Sequence, residues 1–426
     1  MDATVADLRT AAEFANELSQ YDALTRPDTV SSWEGVSDPR LKEIATSLGA
    51  AMLGVAGKIP NSPWANIGLG PYYDFDSFWK ERRYGIMAQD EKDFQKACWL
   101  MKRDVLRTAH IVVGTLAVIS EPSILTCLHP SFVAVDEASM IRETDLHAAF
   151  AWLYPISFGL FGDSRQLGPR SFANKTENPF CKQVEMSLME RMSTAGYMAA
   201  FLTHQRRMTG GIQSLTSALF YNDKEIKNDA PDPDQKARRL ATWNKEQHKV
   251  NSNALLLDVS WTRENCVGTS FENPGNREVV LGLVRKLVGD GLAEAKDIVI
   301  LVGYEAQWRH YIKDLRTLTQ TDPSVAWTSV RALKVDAIQG NEADTVIFDF
   351  VRSGGQHGFM GSFRRLNVAC SRGRYGFYLV SSAAGLKSRE RNGFRTPGQL
   401  HKWFETRRAI ATLATPAHVT AGDEDN

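Results

Sequence analysis

The sequence predicts an α/β protein with two tandem parallel-sheet domains behind a mainly helical N-terminal region. Three observations carry that expectation. At 426 residues the chain is longer than the ~250 to 300 residues at which single cores stop growing, so two cores are expected. Short apolar runs of the kind buried on both faces of a parallel sheet occur in two sets, each interleaved with helical stretches. A polar segment, Asn222 to Asn253, which includes Pro231-Asp232-Pro233-Asp234, separates the two sets.

Taken in order, residues 1 to 104 read mainly as helix. Apolar positions recur at three and four from Ala3 to Tyr21 and again from Asp90 to Arg107, around an aromatic, Gly- and Pro-containing loop region from Pro60 to Gly85. The first set of strands is Ile111 to Val113, Phe132 to Val135 and Phe158 to Phe161. The second is Ala254 to Val259, Ile298 to Val302, Thr345 to Phe350 and Phe377 to Val380, with an amphipathic helix from Asn276 to Val288. Thr412 to Asn426 is small, polar and acidic and reads as a disordered tail. The expected division is therefore a helical region over 1–104, a first α/β domain over 105–210, a second over 211–411, and a tail over 412–426.

Composition narrows the class. With 43% hydrophobic and 23% charged residues, neither a disordered nor a fibrous chain is suggested. The 50 basic residues balance the 50 acidic ones, so a nucleic-acid partner must be held by a local groove rather than by a global field. The five cysteines include no C-x-x-C pair, which argues against a zinc site or a disulfide framework and for reduced, mostly buried thiols. No run of about 18 apolar residues occurs and the N-terminus is acidic, so the expectation is an intracellular protein, cytoplasmic or nuclear, with no membrane partner.

The chemistry lies in a few strings. Phe132-Val-Ala-Val-Asp136-Glu137-Ala-Ser139 is an apolar strand ending in two carboxylates. At the edge of a parallel sheet the first can hold Mg²⁺ through its water shell, and the second can orient or deprotonate an attacking water. Leu160-Phe161-Gly162-Asp163-Ser164-Arg165-Gln166-Leu167-Gly168-Pro169 is a second strand end, and its glutamine can hydrogen-bond to a γ-phosphate or to the attacking water. Taken alone this string is a plain strand-to-loop turn. Its neighbours give it weight: Leu202-Thr203-His204-Gln205-Arg206-Arg207-Met208, then Val335-Asp336-Ala337-Ile338-Gln339-Gly340-Asn341-Glu342-Ala343-Asp344-Thr345-Val346-Ile347, then Arg364-Arg365-Leu366-Asn367-Val368-Ala369-Cys370-Ser371-Arg372-Gly373-Arg374.

In this order and at these distances the five strings resemble motifs II to VI of superfamily 1B helicases related to the nonsense-mediated-decay helicase. The family patterns are approximately DEAS, GDxxQLxP, LxxQYRM, VDxxQGxExDxVI and RRLNVAxTRA. The resemblance spans Ala109 to Val380. Leu219-Phe220-Tyr221 and Ile298-Val-Ile-Leu-Val-Gly303-Tyr304-Glu305-Ala306-Gln307 also fit family strings. This chain departs from the patterns at Arg206, where the family has tyrosine, and at Ser371 and Gly373, where it has Thr and Ala.

The resemblance implies two tandem RecA-like P-loop NTPase domains, an ATP site between them, and travel along single-stranded RNA or DNA. Protein regulators form a further partner class, and the oligomeric state stays open. Asp136 would hold Mg²⁺, Glu137 would act as base, and Gln166 would read the γ-phosphate beside Asp163. Gly340 and Glu342 would meet the nucleotide, and Arg207 and Arg372 would act as arginine fingers. Thr115 and Arg352 would meet the nucleic-acid backbone.

One family element has no counterpart. The glycine-rich loop G-x-x-x-x-G-K-[ST], whose amides cradle phosphates, does not occur in the 426 residues. The nearest string has Gly57-Lys58 followed by Ile59, with Met52 where the first glycine belongs, and reads as a helix end and turn. The first motor domain is thus expected to be N-terminally incomplete and its ATP turnover weak or absent. A non-catalytic scaffold that binds nucleic acid or protein is the alternative. A GTPase sharing only the strand-Asp-Glu chemistry is disfavoured, because two arginine-bearing strings in a second α/β domain have no place in it.

Overall fold

A computed structural model describes residues 5–8, 88–171, 176–197, 200–222, 227–232, 235–387 and 396–415. It divides into two compact units, one drawn from Met1–Phe161 and Arg170–Leu188, the other from Gly162–Pro169 and Met189–Asn426.

In the first unit β1 (Val5–Leu8) pairs in parallel with β2 (Ile111–Gly114), Val5 opposite Ile111. This corrects the expectation of a helix from Ala3. β2 is a β-branched run offering an open ladder, and pairing with it outweighs a local helical pattern; the rest of that expected helix, the loop from Pro60 to Gly85 and Gly57-Lys58 lie outside the described residues. The other expected helix forms as α1 (Ala88–Thr108) and buries Met101, Val105 and Leu106. β3 (Phe132–Val135) and β4 (Ser157–Leu160) pair in parallel, joined by α3 (Glu143–Leu153), while α2 (Leu116–Ile119) follows β2. Leu146, Ala149 and Leu153 of α3 are buried, one face of a helix repeating at three and four.

The second unit carries a six-stranded sheet, parallel throughout. Its strands are β5 (Ala254–Asp258), β8 (Ile298–Val302), β9 (Arg331–Lys334), β10 (Ala343–Asp349), β11 (Gly373–Ser381) and β12 (Ile410–Thr412), in the order β9-β8-β10-β11-β5-β12. Every residue of β8, Ile-Val-Ile-Leu-Val, is buried, as a strand covered on both faces requires. Helices α4 (Gly210–Phe220) and α5 (Lys236–His248) pack against β11, α6 (Pro274–Gly289) against β10 and β11, and α7 (Glu305–Thr321) against β8 and β9. Two further helices are α8 (Phe363–Cys370), against α4, and α9 (Thr396–Thr406), against β5. Phe348, Phe350, Phe377, Tyr378 and Trp327 are fully buried within this core. The expected helix from Asn276 starts two residues earlier, with Pro274 in its first turn and the Asn273 side chain accepting from the Asn276 amide at 3.1 Å.

Some elements were not foreseen. The polar segment from Asn222 is not a spacer throughout: it contains α5, whose Ala237, Leu240, Trp243 and Asn244 are buried. Strand β9, with charged Arg331 and Lys334 at its ends, and the hairpin β6 (Asn265–Val267) and β7 (Ser270–Glu272) lack a long apolar run. Thr412, expected to open a tail, closes β12, and the Leu413 amide donates to the Asp258 carbonyl at 2.9 Å. All five cysteines are free thiols; Cys127, Cys181 and Cys370 are buried and Cys266 is exposed. Among the described residues no helix is long and apolar enough to cross a membrane.

Candidate functional site

In the first unit the chain leaves β3 through exposed Asp136 and half-buried Glu137. Glu137 has φ 49°, left-handed backbone that a non-glycine residue adopts at a cost, and its amide donates to Asp136 Oδ1 at 2.9 Å. The turn is tied to the next strand, since the Phe161 amide donates to Val135 O and the Ala138 amide to Phe161 O, each at 2.8 Å. Thr115 is exposed and caps α2, its Oγ1 accepting from the Val118 amide at 3.4 Å. Among the described residues no three His, Cys, Asp or Glu side chains gather as a metal cage. An exposed lone Asp136 still fits Mg²⁺, which keeps most of its waters and takes one or two carboxylates beside phosphate oxygens.

The second unit brings together the other strings. After Gly162 the chain turns on Asp163, whose Oδ1 accepts from the Arg165 amide and whose Oδ2 accepts from Gln166 Nε2, each at 2.9 Å. The same Oδ2 accepts a short hydrogen bond from the Tyr221 hydroxyl. Tyr221 ends α4 and receives Asn367 Nδ2 at 3.0 Å; burial, then the charge of Asp163, raises its hydroxyl well above the usual tyrosine pKa. The carbonyl oxygen of Gln166 accepts from Arg372 at 2.5 Å. Arg372 stands two residues past the end of α8, is 2% exposed, and also donates to Val368 O at 3.1 Å and Asn341 O at 3.4 Å.

Arg207 is set by Gln205. That side chain accepts from the amides of Arg207 and Met208 at 3.0 and 2.7 Å and donates to Met208 O at 2.7 Å. The Arg207 guanidinium pairs with Glu342 at 2.7 Å and approaches Ser371 O at 3.4 Å. Glu342 follows a turn made possible by Gly340 at φ 82°, and Arg374 lies 3.6 Å away on its other oxygen. Gln166, Gln205, Arg206, Arg207, Met208, Thr216, Tyr221, Glu342 and Ser371 line a cavity of about 420 Å³. Its donors are cationic and amide groups and its acceptor is a carboxylate, a set suited to a phosphate ester that also carries hydroxyls.

Five sequence-derived candidates, Asp163, Gln166, Arg207, Glu342 and Arg372, thus form one network beside Gly340. Arg352 lies apart from them, buried, with its guanidinium on Glu264 at 3.0 Å and stacked 3.8 Å from the Phe271 ring. Gln205, Tyr221 and Asn367 carry no role legible in the motif strings, and the Tyr221–Asn367 bond joins positions 146 residues apart. Of the departures, Gly373 has a steric reason, and Ser371 keeps the hydroxyl that a threonine would supply. Ser371 Oγ donates to Val368 O at 3.3 Å, and a Cβ at Gly373 would stand 2.7 Å from Gly376 O, so alanine does not fit there.

The parallel-sheet architecture and these ordered strings are similar to those of the superfamily 1 helicases. Comparison with known proteins agrees. An AAA domain family matches residues 184–384. Curated relatives include a regulator of nonsense transcripts 1 homolog of Neurospora crassa (28% identical, covering 70% of this chain and 26% of that protein). Others are the ATP-dependent helicase NAM7 of Saccharomyces cerevisiae (27%, covering 71% and 30%) and regulator of nonsense transcripts 1 of Caenorhabditis elegans (29%, covering 71% and 28%). Over about 70% of its length the chain is similar to helicases of the nonsense-mediated-decay type, which supports a superfamily 1 helicase family. It spans between about a quarter and a third of the length of these relatives. Among solved structures, the PRRSV helicase is 14% identical with TM-score 0.31, covering 65% of this chain and 38% of that one.

Proposed function

We propose that this chain is motor machinery of an ATP-dependent helicase or translocase acting on single-stranded RNA or DNA. The observation that carries the reading is the second unit's network, in which Gln166, Arg207 and Glu342 line one cavity and buried Arg372 donates to Gln166. The guanidinium groups supply fixed positive charge for phosphate oxygens, and in other phosphoryl-transfer enzymes an arginine finger is worth about 10³ to 10⁵ in rate. Gln166, held by Asp163 and Tyr221, orients its amide toward a terminal phosphate or the attacking water. Glu342 accepts from a ribose hydroxyl once Arg207 turns to phosphate, and Gly340 lets the backbone approach closely. In the first unit, Asp136 is the residue that would hold Mg²⁺ and Glu137 the base for water. Mg²⁺, when bound, neutralises charge on the phosphates. Thr115 is assigned to the nucleic-acid backbone.

RNA- or DNA-stimulated ATPase of the purified chain tests this reading. Glu137→Gln should lower any turnover by about 10² to 10⁴ while leaving nucleotide affinity in place. Turnover unaffected by that change removes Glu137 from the mechanism.

A second reading has its own support. With no G-x-x-x-x-G-K-[ST] string in the 426 residues, the alternative is a scaffold that binds nucleic acid or protein without hydrolysis. It expects affinity for single strands to be the same with and without ATP, whereas the motor reading expects ATP to change it.

A further inference from the structure

At the end of β10 the second unit holds an anion cradle filled by one of its own carboxylates. The chain turns through Val351, at φ 67°, into Arg352-Ser353-Gly354. Four donors from these three residues converge on Glu264, which precedes the β6–β7 hairpin. The Ser353 amide, the Ser353 hydroxyl (2.6 Å) and the Gly354 amide (2.7 Å) meet Oε2, and Arg352 Nε meets Oε1 at 3.0 Å. A Cβ at Gly354 would stand 3.2 Å from Oε1, so the carboxylate lies against bare backbone.

The Ser353 hydroxyl also accepts from the Glu264 amide at 3.0 Å, but the backbone of the cradle is built from beneath. The Val351 amide donates to Asp349 Oδ1 at 2.9 Å, and Val351 O accepts from Asn273 at 3.0 Å. Asp349 is in turn gripped by Asn276 and Gln307, at 2.8 and 2.5 Å. Arg352 is fixed by its stack on Phe271. Glu264, by contrast, enters from a segment whose next three residues, Asn265–Val267, are all exposed. Two successive amides, a hydroxyl and a guanidinium are the donors that take phosphate oxygens, and they sit at the carboxyl end of a parallel strand, where such sheets bind ligands.

We propose that this cradle binds a backbone phosphate of single-stranded nucleic acid and that Glu264 is its internal competitor, occupying the cradle until a strand displaces it. The proposal rests on the nucleic-acid reading above and adds to it a residue that sets affinity. Removing the competitor raises apparent affinity by the inverse of the fraction of time the cradle stands open.

Anisotropy of a short fluorescein-labelled oligouridylate, titrated with the whole chain, tests this, with thermal unfolding followed on each variant. Glu264→Gln keeps the side-chain volume and removes the charge; it should bind about tenfold tighter than wild type, a cradle open about a tenth of the time. Adding Arg352→Ala to that variant should abolish the gain. Should Glu264→Gln prove unfolded, Glu264→Asp, one methylene shorter and still charged, should also bind more tightly. Equal or weaker binding by the folded variant overturns the competitor, as does a gain that survives Arg352→Ala, which would be a general effect of charge. Binding by wild type alongside either result leaves the nucleic-acid reading standing. No binding by any variant removes both.

Discussion

Arg372 is an always-charged group with 2% exposure, and it persists there because Val368 O, Asn341 O and Gln166 Oε1 all accept from it. Arg372→Ala would leave those neutral acceptors without their donor and should lower stability by about 1 to 3 kcal/mol in urea unfolding. Arg372→Lys, a point charge without the planar fork, should fall between the two. A wild-type-like alanine variant would mean that the contacts contribute little. Glu264 offers a pH test. Burial alone would raise its pKa, but the Ser353 hydroxyl, the Ser353 and Gly354 amides and Arg352 outweigh burial and hold it below the ordinary glutamate value of 4.5. Its folded pKa is therefore depressed, so its stabilising contribution is present above about pH 4.5 and is lost as pH falls through the folded value. Thermal midpoints of Glu264→Gln should accordingly decline less in that acid range than those of wild type.

Strand β10 is the element on which both functional regions depend. Its first residue follows Gly340 and Glu342, and its last, Asp349, anchors the Arg352 turn. Phe348, fully buried in this strand, should cost about 3 to 5 kcal/mol as alanine, read by urea unfolding. Past β8, Gly303 packs so closely on Met360 that a Cβ would come within 2.3 Å of its sulfur. Gly303→Ala should therefore lower the thermal midpoint, whereas Gly282→Ala in α6, where a Cβ meets nothing within 4 Å, should raise it slightly. These elements were legible to different degrees. β8 announces itself as five apolar residues, and α6 by its helical spacing and Pro274. By contrast β9, a four-residue run with charged ends, is a strand because β8 pairs with it.

Over the whole molecule, 50 basic and 50 acidic residues leave no net field to gather nucleic acid. Affinity for single strands should then arise from a few local phosphate contacts, each adding about 0.7 to the slope of log K against log salt. Arg352→Ala should flatten that slope by about 0.7 in anisotropy titrations over a range of salt; an unchanged slope would remove Arg352 from the contact set.

The sequence by itself determined the α/β class, the resemblance to helicases, and the residue types available for phosphoryl-transfer chemistry, because apolar period and ordered motif strings are local properties of a chain. Only the tertiary structure decided which of those residues meet. Gln166 reaches Arg372 across 206 positions and Arg207 reaches Glu342 across 135, while Arg352 is engaged by a glutamate that no motif letter marked. A hydrogen bond depends on where two backbones come to lie, and strand order, which joins β10 to β11 and β11 to β5, sets that.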